Sequence, residues 1–127
     1  MTIEAVEAAL AQYPDVRLAY VFGSVASGRA RPDSDVDVAV LSAAPLSIER
    51  KMRLISDIAS STGRPVDLID LADVGEPLLG QILGHGVRIR GDAALHAQWV
   101  TRHIFSNEDF MPYVERMLAE RRQAWIG

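Results

Sequence analysis

Cysteine is missing altogether from these 127 residues. That absence removes disulfides, zinc–thiolate centres and thiol nucleophiles from the chemistry open to the chain. It also fits a reducing cytoplasm, which is the location expected. Basic charge is in short supply as well: 13 Lys and Arg stand against 17 Asp and Glu, for a formal net charge of −4. Broad electrostatic attraction to a polyanion needs the opposite balance, so no nucleic-acid partner is expected. No apolar run approaches the roughly 18 residues of a membrane span, and no charged-then-apolar leader opens the sequence. Neither membrane insertion nor secretion is therefore expected. Repeats and low-complexity tracts are absent too. What remains is 49% hydrophobic and 24% charged, the composition of an ordinary globular chain long enough for one domain with its own core.

Ile3, Val6, Leu10 and Tyr13 recur at helical spacing, which predicts a helix over 3–13, capped by Thr2 and stopped by Pro14. The β-branched and aromatic run VRLAYVF (16–22) predicts a strand closed by Gly23. SVASG follows as a turn or short helix that Gly28 ends. VDVAVLS (36–42) predicts a second strand. Ser47 can cap a helix over 48–62 with Ile48, Met52, Ile55 and Ala59 on its buried face, and Gly63 suits the position just beyond it. PVDLIDL (65–71) predicts a third strand, 77–84 a short helix, and VRIR (87–90) a fourth strand. From Asp92 onward the pattern is helical, with Leu95 and Trp99 on one face, then Phe110, Val114, Met117 and Trp125 after a break near SNED. The fold class expected is α/β (α+β): a small mixed sheet of about four strands, its first two paired as neighbours, with helices packed on it. Residues 1–91 form the core, and 92–127 a helical extension of the same domain, acting as packing arm or docking surface.

The densest chemistry lies in AYVFGSVASGRARPDSDVDVAV (19–40). Gly23 and Gly28 have the spacing of the loop G-x-x-x-x-G-K-[ST], but Arg29 stands where its lysine belongs and Ala30 where its hydroxyl belongs. What survives is more general: a glycine between strand and helix lets backbone N–H groups face an anion, and the Ser24 hydroxyl can join them. Asp35 and Asp37 project from the same side of an extended chain. So close together they repel unless a cation sits between them or one keeps its proton. A calcium loop counted from Asp33 needs Gly at its sixth position and Glu at its twelfth, and finds Val38 and Ala44. A magnesium site built on two carboxylates completes its shell with water and substrate phosphates, which links the acids to the glycine turn. Asp67, early in the third strand, can join them, whereas Asp70 faces the other way by the period of two. Three acids around two metals about 3.5–4 Å apart stabilise an in-line phosphoryl displacement, and one of them can take the proton of the attacking hydroxyl. Asp33, following Pro32, reads as a turn residue.

Gly23-Ser24, ten residues, then Asp35-Val36-Asp37 resembles the signature of the DNA polymerase beta-type nucleotidyltransferase superfamily. FGSVASGRARPDSDVDVAV is similar to the form found in its minimal members, the MNT-domain proteins, and Asp67 in VDLIDL matches the third carboxylate. The likeness runs over about 3–90. It implies a polymerase beta-like core, two Mg2+ ions on Asp35, Asp37 and Asp67, and ATP as substrate. The nucleotide phosphates would lie on Gly23 and Ser24, with Arg29 as a further phosphate contact. Minimal members are commonly encoded beside a HEPN-domain RNase and act as its antitoxin by adding AMP to a tyrosine of the toxin. The resemblance thus implies a cognate HEPN toxin as partner, in a hetero-oligomer. A short helical tail makes a poor second wall for a small acceptor, so the toxin's own body would complete the site. Two other functions share these residues: stoichiometric capping of a toxin without required catalysis, and nucleotidyl transfer to a small aminoglycoside-like hydroxyl. His85, His96 and His103 show no ligand spacing and are expected at the surface or in packing.

Overall fold

The computed structural model describes residues 2–106 and residue 119. Among the described residues nine elements alternate: α1 (Thr2–Leu10), β1 (Val16–Phe22), α2 (Gly23–Ser27), β2 (Val36–Ser42), α3 (Ile48–Thr62), β3 (Val66–Asp70), α4 (Leu78–His85), β4 (Val87–Arg90) and α5 (Ala93–Ser106). The expected helix over Phe110, Val114, Met117 and Trp125 lies outside the described residues.

The four strands form one mixed sheet in the order β3-β2-β1-β4. β1 runs antiparallel to both β2 and β4, while β2 and β3 are parallel. Both faces of the sheet are covered, which is why its central strands read as nearly unbroken apolar runs instead of alternating ones. On one face Val36, Val38 and Val40 pack with Val6 and Leu10 of α1 and Leu54 and Ile58 of α3. On the other, Leu18, Tyr20 and Ala39 pack with Leu79, Ile82 and Leu83 of α4 and Trp99 of α5. β1 serves both layers by alternation, and a register shift between Val16 and Leu18 puts Val16 in the same layer as Ala19 and Val21.

Helix ends follow the sequence closely. The Ser47 hydroxyl accepts from the Arg50 N–H at 3.1 Å, satisfying one of the unpaired donors of the first turn of α3, and Gly63 closes that helix with its N–H on Ala59 O. α1 ends at Leu10, short of the expected Tyr13, and Thr2 is its first residue. Tyr13 N donates to Leu10 O at 2.9 Å, and Arg90 reaches the same turn from across the fold, donating to Leu10 O at 2.7 Å and to Tyr13 O at 2.6 Å.

The buried face of α3 differs from the expected one. Ile48 is 80% exposed and Met52 65%, while Leu54 and Ile58 are fully buried. Of the expected face Ile55 does pack against the core and Ala59 is partly buried, but at 100° per residue Met52 lies roughly 200° around from Leu54 and so points away from the sheet. The stripe with Leu54 and Ile58 fills the core, at about 1.5–3 kcal/mol per buried side chain.

α5 is fastened to the second layer. Its Asp92 Oδ1 accepts from Leu95 N at 2.8 Å, and Trp99 is 7% exposed. The Tyr20 hydroxyl, entirely buried in the sheet, finds its hydrogen-bond partner in His96 Nδ1 at 2.6 Å. His103 pairs with Glu76 at the approach to α4. No helix among the described residues is long and apolar enough to cross a membrane.

Candidate active site

β1 ends where β2 begins, and their antiparallel pairing sets Phe22 opposite Asp37. The parallel pairing of β2 with β3 sets Asp37 beside Asp67. Adjacent strands lie about 4.8 Å apart, and both side chains project from the same face of the sheet, the one that carries α4 and α5. Asp35 follows by the period of two, in the extended approach to β2. The structure thus brings the three predicted carboxylates to one corner of the sheet, and Asp70 to the face opposite Asp67.

Gly23 is the first residue of α2, with φ +70°, a region costly to any residue with a side chain. A second constraint acts there: a Cβ on Gly23 would overlap Oδ2 of Asp37 and stand 3.1 Å from its Cγ. The glycine is therefore what lets the turn lie directly against the acid. Ser24 is half-buried in the same turn, and its carbonyl accepts from the Arg29 N–H at 2.9 Å. Arg29 is exposed beyond the Gly28 terminus of α2. Its side chain does not line the cleft described next.

A cleft of about 550 Å3 opens over this corner. Phe22, Gly23, Ser27 and Asp37 line one side of it, and Leu78, Gln81 and His85 the other. The last three recur at spacings of three and four along α4, so they form one helix face looking across at the acids. Sequence reasoning missed this wall. The 78-81-85 spacing was legible, but nothing in it distinguishes a cleft-lining stripe from a solvated one.

Asp37 is half-buried, and its carboxyl is pushed above the ordinary value, first by burial, then by the charge of Asp67 and then by that of Asp35. Negative charge is thus concentrated where a cation would relieve it. The donors are all hard oxygens, suited to a divalent ion such as magnesium. Among the described residues no three acidic or histidine side chains already stand in a joint ligating arrangement. Joint ligation by all three aspartates therefore requires the exposed side chains of Asp35 and Asp67 to turn toward Asp37. They are free to do so, and the donor set fits the metal.

Acids on adjacent strands and a glycine-serine turn thus meet beneath one open cleft. Residues 4–93 match the polymerase beta nucleotidyltransferase family, and the chain belongs to it. The protein adenylyltransferase MntA of Shewanella oneidensis is 35% identical over 78 residues, which take in 61% of this chain and 56% of that protein. The match thus spans little more than half the length of that relative. A solved structure of a toxin–antitoxin with AMP-PNP aligns with a TM-score of 0.74 and 27% identity, covering 99% of this chain and 96% of its counterpart. A complex of tri-AMPylated Shewanella oneidensis HEPN toxin with an MNT antitoxin holds a chain that aligns at TM-score 0.61 and 25% identity. That alignment covers 98% of this chain and 95% of the other.

Proposed function

We propose that this protein is a magnesium-dependent protein adenylyltransferase that moves AMP from ATP to a tyrosine hydroxyl of a cognate HEPN toxin, and is thereby its antitoxin. The observation that carries the reading is the seat of Asp37, held between Gly23 and Asp67 at the mouth of the cleft. Asp35, Asp37 and Asp67 are the metal-holding and catalytic residues, and the Gly23-Ser24 turn holds the nucleotide phosphates; Arg29, outside the cleft lining, contacts them only once its side chain folds back over the turn. Magnesium supplies, when bound, charge neutralisation of the phosphates and of the oxygens that enter and leave. The tyrosyl oxygen forms a bond to the α-phosphorus as the bond from that phosphorus to the bridging oxygen breaks. Pyrophosphate departs with the electron pair, and the phenolic proton passes to a carboxylate of the trio. α5 packs on the core and belongs to the same domain, and the pair works in the cytoplasm. Both relatives named with an adenylyltransferase or an AMPylated toxin support the reaction, and the AMP-PNP complex supports the nucleotide.

The test is transfer of labelled AMP from ATP to the purified HEPN partner, with and without Mg2+. Wild type should label the toxin only with the metal present, and Asp35→Asn with Asp37→Asn should abolish labelling while far-UV circular dichroism stays unchanged. Labelling by the double variant at the wild-type rate contradicts the assignment.

A further inference from the structure

Asp37 is held by strand neighbours on both sides, but Asp35 stands one residue before the ladder begins and is exposed. Its position must come from elsewhere. The Arg31–Ser34 turn closes on itself, with Ser34 N donating to Arg31 O at 3.0 Å and Arg31 N to Ser34 Oγ at 2.8 Å. The guanidinium of Arg64 reaches this turn from beyond the end of α3. Its Nη1 donates to Arg31 O at 2.6 Å and to Ser34 O at 3.1 Å. The next residue, Pro65, accepts from Val36 N at 2.9 Å.

Ser34 O belongs to the peptide plane that enters Asp35, and Val36 N to the plane that leaves it. Peptide planes are rigid, so a hydrogen bond on each narrows the rotation open at Asp35 and with it the direction of its Cα–Cβ bond. Both anchors come from one dipeptide, Arg64-Pro65, which leads straight into β3 and Asp67 three residues after Arg64. Arg64 itself is placed by the Gly63 terminus of α3, and its N–H donates to Thr62 Oγ1 at 3.2 Å.

We infer that Arg64 is a positioning residue that holds the backbone of Asp35 at the corner it shares with Asp37 and Asp67 by clamping the carbonyls of the 31–34 turn. The inference rests on the reading of Asp35 as a metal ligand. Groups that orient a ligand are worth about 10–100-fold in metal affinity.

The experiment is a titration of the full chain with Mn2+ alone, read by electron paramagnetic resonance, on wild type, Arg64→Ala, Arg64→Lys, Asp35→Asn and the Asp35→Asn/Arg64→Ala double variant. Arg64→Ala should weaken Mn2+ binding at least about tenfold. Arg64→Lys should recover much of that loss, because one ammonium can donate to both carbonyls. In the Asp35→Asn background the alanine change should cost nothing further, the signature of a residue acting through its partner. Should alanine fail to fold, Arg64→Met keeps the apolar stem and takes its place. Wild-type Mn2+ affinity in Arg64→Ala, or an equal loss with and without Asp35, overturns the inference. Wild-type affinity in Asp35→Asn overturns the ligand reading and this inference with it. Loss in Asp35→Asn beside no loss in Arg64→Ala overturns the clamp alone.

Discussion

Gly23→Ala separates two demands that the turn makes on its glycine. One is conformational: an alanine at φ +70° costs about 1–2 kcal/mol. For a chain of this size that is a fall in Tm of about 4–8 °C. The other is steric and local to the acid. Carbon atoms settle at about 3.5–4.0 Å, and the new Cβ would begin overlapping Oδ2 and 3.1 Å from Cγ of Asp37, so the carboxylate must retreat by about 0.5–1 Å. A displacement of that size at a reacting centre costs about 100-fold in rate. Gly28→Ala is the matched control. Gly28 has φ +76°, so the backbone penalty is the same, but nothing stands within 4 Å of its added Cβ. The assay is AMP transfer to the HEPN partner under kcat/KM conditions, beside thermal melts of both variants. Gly23→Ala should lose about 100-fold in kcat/KM and Gly28→Ala little, with similar drops in Tm. Equal activity of the two variants refutes the argument that the glycine exists to admit the Asp37 carboxylate.

Asp37→Asn should stabilise the metal-free fold. The Asp37 carboxyl is raised in the folded state, so folding takes up protons between the unfolded and folded pKa values, and stability falls as pH rises through that window. Urea melts in EDTA should therefore show the Asn variant more stable than wild type at pH 7 and the difference closing toward pH 3. A less stable Asn variant at pH 7 contradicts the electrostatics. Gln81→Ala with His85→Ala removes the polar part of the wall across from the acids, and should lower kcat/KM about tenfold. Both side chains are exposed, so the melting curve should move by no more than about 0.5 kcal/mol. Trp99→Ala empties a site 7% exposed beneath α5, and should cost about 3–5 kcal/mol by chemical denaturation. Loss of less than about 1 kcal/mol would show that α5 contributes little to the core.

The strand positions were legible because a sheet covered on both faces leaves apolar runs, and Gly23, Gly28, Ser47 and Gly63 punctuate them. Asp35, Asp37 and Asp67 were legible for a related reason: carboxylates at the edge of an apolar strand stand out, and a period of two assigns their face. The buried side of α3 was only half legible: Ile55 does meet the core, but the apolar Ile48 and Met52 drew the expected face too far round, and only the sheet selects Leu54 and Ile58 instead. The α4 wall of the cleft was hidden for want of a pattern, because Gln81 and His85 look like solvated positions until a cleft is seen beside them. Arg64 was invisible in a stricter sense. It acts on main-chain carbonyls, and carbonyls leave no trace in a sequence.

The shared geometry of the Gly23-Ser24 turn and the three aspartates is open to one direct measurement: anomalous diffraction from crystals of this protein soaked with Mn2+ and a nonhydrolysable ATP analogue. Anomalous peaks should lie between the carboxylates of Asp35, Asp37 and Asp67, with the analogue's phosphates on the Gly23-Ser24 turn. Phosphates bound elsewhere, or manganese absent from those carboxylates while nucleotide is present, would contradict it.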